Sequence, residues 1–398
     1  MTILAALAVS LLLAADTPVP SLLGYPPCST AEAFNPGENA DLALRREIAL
    51  EACRVPLALG TGDVEALLGD ENFAFEVDGE ELVIARRGSD LVNGVLNTRL
   101  APVASAEGLF ASRFRMARLN AGLLTFYVIS IDGDRINMDA TFSWRGPDAP
   151  LVPEEDDEGE LAGELLETVL WSEALGETRR LRVYLPPGHD AGNSYPAVFF
   201  TDGEAENVAR RLEPEMLAGR LPAMVLIGAL AGQAGIVEDR SDLAGDLRNV
   251  DYLPGGSGTL NRFDAHLTFF ADELVEHALE NWGISPDPAL RGVFGYSSGA
   301  AFSLQAGFRR PDRFGHAFSM STGHGPINDA GTAPDNAARF YFTAGRYESL
   351  FMYHARISAA ALDAAGYDVR FETFSTGHTR EADTIMLIPF LRDAFGVD

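Results

Sequence analysis

The chain has 398 residues, 47% of them hydrophobic and 22% charged, which allows one catalytic domain with a smaller companion and fits a globular protein rather than a disordered or membrane one. Its 58 acidic and 30 basic residues leave a formal charge of -28, a field that repels nucleic-acid phosphates and anionic lipid, so neither is an expected partner. Every basic residue is an arginine, and the absence of lysine excludes lysine Schiff-base chemistry, pyridoxal-phosphate attachment and a Walker-type phosphate loop.

Residues 3–15 form an apolar run broken only by Ser10 and followed by Asp16-Thr17-Pro18. The run is too short to span a bilayer and lies where a secretory signal belongs, so residues 1–15 are expected to be a signal peptide and the protein periplasmic or secreted, with no membrane span. Cys28 and Cys53 are the only cysteines. In an exported chain they can form a single disulfide; without histidine neighbours they make a poor zinc site.

Residues 41–52 read as a helix with Leu42, Leu44, Ile48 and Leu50 among its apolar positions. From Asn72 the period changes: Phe73, Phe75 and Val77 alternate with smaller or charged residues, Asp78-Gly79 supplies turn chemistry, and residues 82–87 can return as the second strand of a hairpin. Further strands are expected at 109–116, 123–131 and 136–144, with Asp132-Gly133-Asp134 as a turn, and together they suggest a small β-sandwich within residues 16–147. No catalytic constellation is visible there. Residues 148–163 contain Pro150, Pro153 and the acidic run 154–160, which repels itself and reads as a solvated linker.

From residue 164 to 398 the pattern becomes β then α. A hairpin is expected over 168–175 and 180–185, buried-type strands at 197–201, 224–227, 292–294, 317–320, 340–343 and 369–373, and helices at 207–217, 263–281, after Ser298 and at 381–395. Such alternation predicts a mainly parallel sheet covered by helices on both faces, an α/β fold.

Gly295-Tyr296-Ser297-Ser298-Gly299 lies between a short buried strand and a helix, so Ser297 occupies a sharp strand-to-helix turn of the kind that presents a nucleophile in α/β-hydrolases. A serine hydroxyl needs a base, and the base needs a third group to fix its tautomer. His378, in Ser375-Thr376-Gly377-His378 directly after the last predicted strand, fits the base better than His324 or His354. Glu348, following the strand before that one, is the natural acid, with Asp335 and Asp383 in reserve. Oxyanion donors are expected from the backbone N–H of Ser298 and from the loop Asp202-Gly203-Glu204, with Glu204 favoured over Gly203. Nothing in this scheme requires a metal or cofactor.

Over about residues 164–398 the chain resembles the esterase family that contains enterochelin esterases, S-formylglutathione hydrolases, some feruloyl esterases and the antigen 85 mycolyltransferases. The resemblance rests on 180–188 (Arg-Leu-Arg-Val-Tyr-Leu-Pro-Pro-Gly), Tyr195-Pro196 leading to Asp202-Gly203-Glu204, the serine turn, 310–315 (Arg-Pro-Asp-Arg-Phe-Gly), Ala344 to Glu348, and Gly377-His378. It implies an α/β-hydrolase fold, a Ser297, Glu348 and His378 triad, and a small-molecule ester as substrate. Asp202-Gly203-Glu204 and Ala344 to Glu348 look most like enterochelin esterases, and the N-terminal strands look like their immunoglobulin-like domain. That likeness implies siderophore trilactone hydrolysis, with Tyr296, Asp202, Arg248, Arg240 and Arg346 as substrate-binding residues and the arginines forming a positive pocket. Enterochelin esterases carry Gly-Gly-His-Asp where this chain has Thr376-Gly377-His378-Thr379. Feruloyl or acetyl-glycan ester hydrolysis, acyl transfer to an alcohol, and a non-catalytic binding role on the same scaffold stay open at this level.

Overall fold

The computed structural model describes residues 19–104, 106–132, 135–152, 160–231, 247–257 and 260–396. The expected signal peptide, Gly133-Asp134 of the expected turn, most of the acidic run and Arg240 lie outside them. The chain divides into two compact units. Of the described residues, unit one holds those up to 150 together with two short segments from far along the chain, 345–353 and 373–379; unit two holds the other described residues.

Unit one begins with helices α1 (Cys28–Ala33) and α2 (Ala40–Glu51), the second capped by the Asn39 side chain, which accepts the Leu42 N–H. The chain then runs directly into strand β1 (Ala52–Val55), whose first residue falls within the helix expected over 41–52. Helix α3 (Thr61–Leu68) follows, then β2 (Phe73–Asp78) and β3 (Glu81–Arg87). The hairpin joining them turns at Gly79, where φ is 59°, a conformation glycine adopts without a Cβ penalty. Strands β4 (Leu91–Gly94), β5 (Thr98–Arg99), β6 (Ala101–Pro102), β7 (Leu109–Met116), β8 (Leu123–Asp132) and β9 (Arg135–Arg145) complete the unit.

These strands form two sheets, β1-β7-β3-β2 with β6 beside β7, and β5-β4-β8-β9. Alternate residues of both sheets enter one core: Leu82, Ile84, Phe114 and Met116 from the first, Val92, Leu124, Phe126 and Val128 from the second. The Phe75 and Phe126 rings meet across it at 4.7 Å. The reverse side of the first sheet is covered by α3, whose Val64 and Leu68 pack with Ala85, Leu109 and Ala111. A disulfide joins Cys28 to Cys53 and ties α1 to β1.

Unit two carries an eight-stranded sheet in the order β10-β11-β13-β12-β14-β15-β16-β17. Its strands are β10 (Glu164–Ser172), β11 (Glu177–Leu185), β12 (Ala197–Phe200), β13 (Val225–Ala229), β14 (Arg291–Tyr296), β15 (His316–Met320), β16 (Arg339–Gly345) and β17 (Val369–Phe374). The first two form an antiparallel hairpin that starts four residues earlier than the sequence pattern indicated, and β11 is antiparallel to β13. From β13 to β16 the pairing is parallel. All residues of β12, β13 and β15 are buried, as expected where helices cover both faces of a parallel sheet.

The helices of unit two are α4 (Ala205–Leu217), α5 (Leu247–Tyr252), α6 (Phe263–Thr268), α7 (Leu274–Asn281), α8 (Ser298–Arg309), α9 (Ser349–Ala364), which begins in unit one, and α10 (Glu381–Phe395). The single helix expected over 263–281 is interrupted by a π-turn, Phe269–Glu273. The chain visits β13 on one side of β12 and later β14 on the other, so a crevice opens at the carboxyl ends of β12 and β14, the place where parallel sheets hold ligands. Among the described residues no helix is long and apolar enough to cross a membrane.

The disulfide closes a 25-residue separation, for which the loss of unfolded-state entropy corresponds to about 3 kcal/mol. Cys53→Ser is expected to lower the thermal midpoint, and a reductant should lower the midpoint of the native protein while leaving the variant unchanged.

Candidate active site

Ser297 follows β14 directly and precedes α8, with φ 60° and ψ -118°. A non-glycine residue in this region carries a backbone penalty of roughly 1–3 kcal/mol, so the surroundings must fix it. Four hydrogen bonds do so: Ser297 N–H donates to Met320 O at 2.9 Å, and Ser297 O accepts from Ala300 N at 3.0 Å, Ala301 N at 3.2 Å and Gly323 N at 3.0 Å. The flanking glycines are required by space. A Cβ on Gly295 would stand 1.9 Å from Gly299 O, and one on Gly299 would stand 2.3 Å from Thr201 Oγ1.

Ser298 is the first residue of α8, where a backbone N–H has no partner within the helix and points outward with the positive end of the helix dipole. The Ser298 hydroxyl donates to Asn249 Oδ1. Alongside, Phe200 of β12 is in register with Phe294 of β14, which brings the loop Thr201 to Glu204 next to the serine turn. Asp202 (φ 60°) and Gly203 (φ 72°) are both left-handed, and Glu204 then leads into α4. A Cβ on Gly228 of neighbouring β13 would lie 2.6 Å from the Gly203 carbonyl carbon, so the loop is also backed by close packing.

Helix α5 holds both pieces. Arg248 makes a two-pronged ion pair with Asp202, Nε to Oδ1 and Nη2 to Oδ2, both 2.8 Å, and Nη2 also donates to Tyr296 O at 3.0 Å. Tyr252 accepts the Asp202 N–H at its hydroxyl, 2.9 Å away. The helix is itself anchored by a buried charge cluster: Asp251 pairs with Arg179 and Arg262, each at 2.8 Å, and both arginines also meet Glu177. His266, packed in the same core, is pushed down to about 3, chiefly by burial, and is neutral at ordinary pH.

A second clamp, which the sequence reading missed, is built on Arg380. Its Nη1 and Nη2 donate to the two Glu204 carboxylate oxygens, each at 2.6 Å, its Nε donates to Asp383 at 2.7 Å, and its guanidinium lies 4.6 Å from the Tyr296 ring centroid. Burial holds the Asp383 carboxyl up, to about 6, while Arg380 pulls it back down. In the sequence Arg380 is only an arginine two residues beyond His378, because its partners come from opposite ends of the domain. Asn249 and Tyr252 were equally invisible, because one short helix brings them to the site.

Glu348 and His378 both lie in unit one. His378 Nδ1 is 2.7 Å from Glu348 Oε2, and Glu348 Oε1 accepts the Gly345 N–H at 2.5 Å. Glu348 is buried, and the His378 ring stacks on Phe351 at 3.9 Å between centroids. This arrangement makes Nδ1 the donor to the carboxylate and leaves Nε2 as the acceptor, the tautomer a general base needs. Arg346 pairs with Glu51 at 3.2 Å within the same unit. Of the other candidates, Asp335 lies exposed on a loop, and His354 Nδ1 lies 2.8 Å from Gly323 O with its ring 5.9 Å from that of His324. Among the described residues no group of three or more histidine, cysteine or acidic side chains could hold a metal ion.

The profile of the family described as Putative esterase matches residues 172–346. An uncharacterized protein of Bacillus subtilis (strain 168), YbbA, is 31% identical over 173 residues, 40% of this chain and 63% of its own length. In three dimensions the chain is similar to the enterochelin esterase of Shigella flexneri, with a TM-score of 0.57 at 15% identity over 85% of this chain and 99% of that one. It is also similar to the ferric enterobactin esterase of Salmonella typhimurium, with a TM-score of 0.53 at 17% identity over 82% and 99%. At such identities these structures speak to the fold, an α/β-hydrolase with a β-rich N-terminal part. It is over residues 172–346 that the chain is similar to the Putative esterase family.

Proposed function

We propose that this protein is a serine carboxylic-ester hydrolase that works through an acyl-enzyme, with Ser297 as nucleophile, His378 as general base and Glu348 as the acid that orients it. The observation that carries the reading is the left-handed backbone at Ser297: a serine, rather than a glycine, held at φ 60° at the carboxyl end of a central strand. In the first step His378 Nε2 takes the hydroxyl proton as Ser297 Oγ attacks the ester carbonyl. The oxyanion is received by the N–H of Ser298 and by those of Gly203 and Glu204. Collapse expels the alcohol with the proton returned by His378, and water then repeats the sequence on the acyl-enzyme.

The charges around the serine turn favour an uncharged ester over a strongly anionic iron catecholate. Arg248 is taken up by Asp202, and Arg380 by Glu204 and Asp383, so both of these guanidinium groups are matched by at least one carboxylate. The whole chain adds a formal charge of -28. Export is part of the reading. It is supported by the apolar run at 3–15 and by the Cys28–Cys53 disulfide, a bond that persists in oxidising compartments.

Ser297→Ala is expected to abolish ester turnover and fluorophosphonate labelling while leaving the thermal midpoint within a few degrees; retained turnover would overturn the assignment of the nucleophile. Glu348→Gln should lower kcat by roughly 10³-fold or more, because the amide no longer fixes the imidazole tautomer or stabilises its cation. On matched p-nitrophenyl esters, a neutral butyrate should exceed the anionic succinate half-ester in kcat/KM by about tenfold or more at low ionic strength, with the gap narrowing in salt. The opposite preference would point to an anionic substrate.

A further inference from the structure

We propose that the N-terminal β-domain is a working part of the catalytic apparatus, with Tyr25 as a positioning residue that fixes the Glu348–His378 pair through the backbone of Tyr347. This rests on the esterase reading above and assigns a role to a domain in which the sequence shows no chemistry. The acid and the base sit on the two distant segments that fold into unit one, 345–353 and 373–379. Tyr347, next to Glu348, is fully buried in the sandwich core together with Phe114, Met116 and Leu124. Its hydroxyl donates to Ala117 O at 2.9 Å. From the other side, the Tyr25 hydroxyl donates to Tyr347 O at 2.6 Å in a buried bond.

Tyr25 is held as firmly as the residue it holds. It is left-handed at φ 55°, its ring packs edge-on to Phe114 at 5.9 Å, and the chain just beyond it is tied to β1 by Arg54 N donating to Pro26 O and by the disulfide at Cys28. The base is seated in the same way. Leu123 N donates to Ser375 O at 2.9 Å, Tyr347 N donates to Thr376 O at 3.0 Å, and Gly377 lies so close to the Val95 carbonyl that a Cβ there would stand 1.9 Å from its oxygen. The residues immediately before Glu348 and His378 are therefore both fastened to the sandwich, one by phenol hydrogen bonds and one by backbone contact. A carboxylate and an imidazole on such mounts keep their mutual geometry without depending on their own side-chain contacts, and small misplacements of catalytic groups cost rate steeply.

The test compares the full-length native protein with Tyr25→Phe and Tyr347→Phe, each of which removes one hydroxyl and keeps the ring in the core. For each, kcat and KM on a neutral p-nitrophenyl ester and the rate and final extent of fluorophosphonate labelling at Ser297 are measured. A positioning role predicts that kcat and the labelling rate fall together by roughly ten- to a hundredfold, with KM unchanged and labelling still reaching completion. A merely structural role predicts reduced labelling extent with an unaltered rate in the folded fraction, which would overturn the proposal, as would native values of kcat in both variants. Should one variant fail to fold, the other decides. Failure of the native protein to turn over any ester or to label would instead sink the esterase reading itself.

Discussion

Ser297 can stand where it does only because the rest of unit two is arranged to tolerate an unfavourable backbone. The left-handed turn demands glycines at 295 and 299, a third glycine at 323 to approach its carbonyl, and a neighbouring strand, β15, that accepts its N–H. Each demand places a limit on sequence that has nothing to do with chemistry on a substrate. Chain segments from 201, 297 and 323 converge on the same few ångströms because a parallel sheet delivers them there side by side. The strain at one residue is thus distributed over a region whose backing residues, Thr201, Gly203, Gly295, Gly299 and Gly323, are buried.

The two clamps around the turn use opposite ends of the domain for one purpose. Arg248 ties the loop at 201–204 to the carbonyl of Tyr296 from α5, while Arg380 ties the side chain at the end of that loop to the ring of Tyr296 from the residue before α10. Beneath α5, the Arg179, Asp251, Arg262 and Glu177 cluster removes charges from water and recovers the cost only by pairing every one of them. Such a cluster is better suited to fixing the position of a short helix than to adding stability. A helix of six residues cannot hold its own place by hydrogen bonding alone.

Much of this was legible in the sequence because the signals were local. Gly295 to Gly299 between an apolar strand and a helical pattern gave the turn, and the buried runs at β12 to β16 gave the parallel sheet. What escaped was non-local. Arg380 has three partners from Tyr296, Glu204 and Asp383, and Tyr25 meets Tyr347 across 322 positions; no periodicity encodes such pairs. The sandwich was visible from alternation, but α1, α3 and β1 were not, because short elements whose ends are set by tertiary contacts lack a full period. The π-turn inside 263–281 escaped for a different reason: the adjacent apolar residues Phe269, Phe270 and Ala271 fill the pattern on both sides of the phase shift and conceal it.

The lack of lysine has a consequence for how this molecule meets changes of solution. Guanidinium groups keep their protons throughout the range in which proteins are handled, so none of the cations that secure the loops near Ser297 can be discharged by alkali. Only the acidic member of each pair can change state. The framework of ion pairs therefore opens in one direction, toward acid, and an environment that drifts basic finds nothing in it to release.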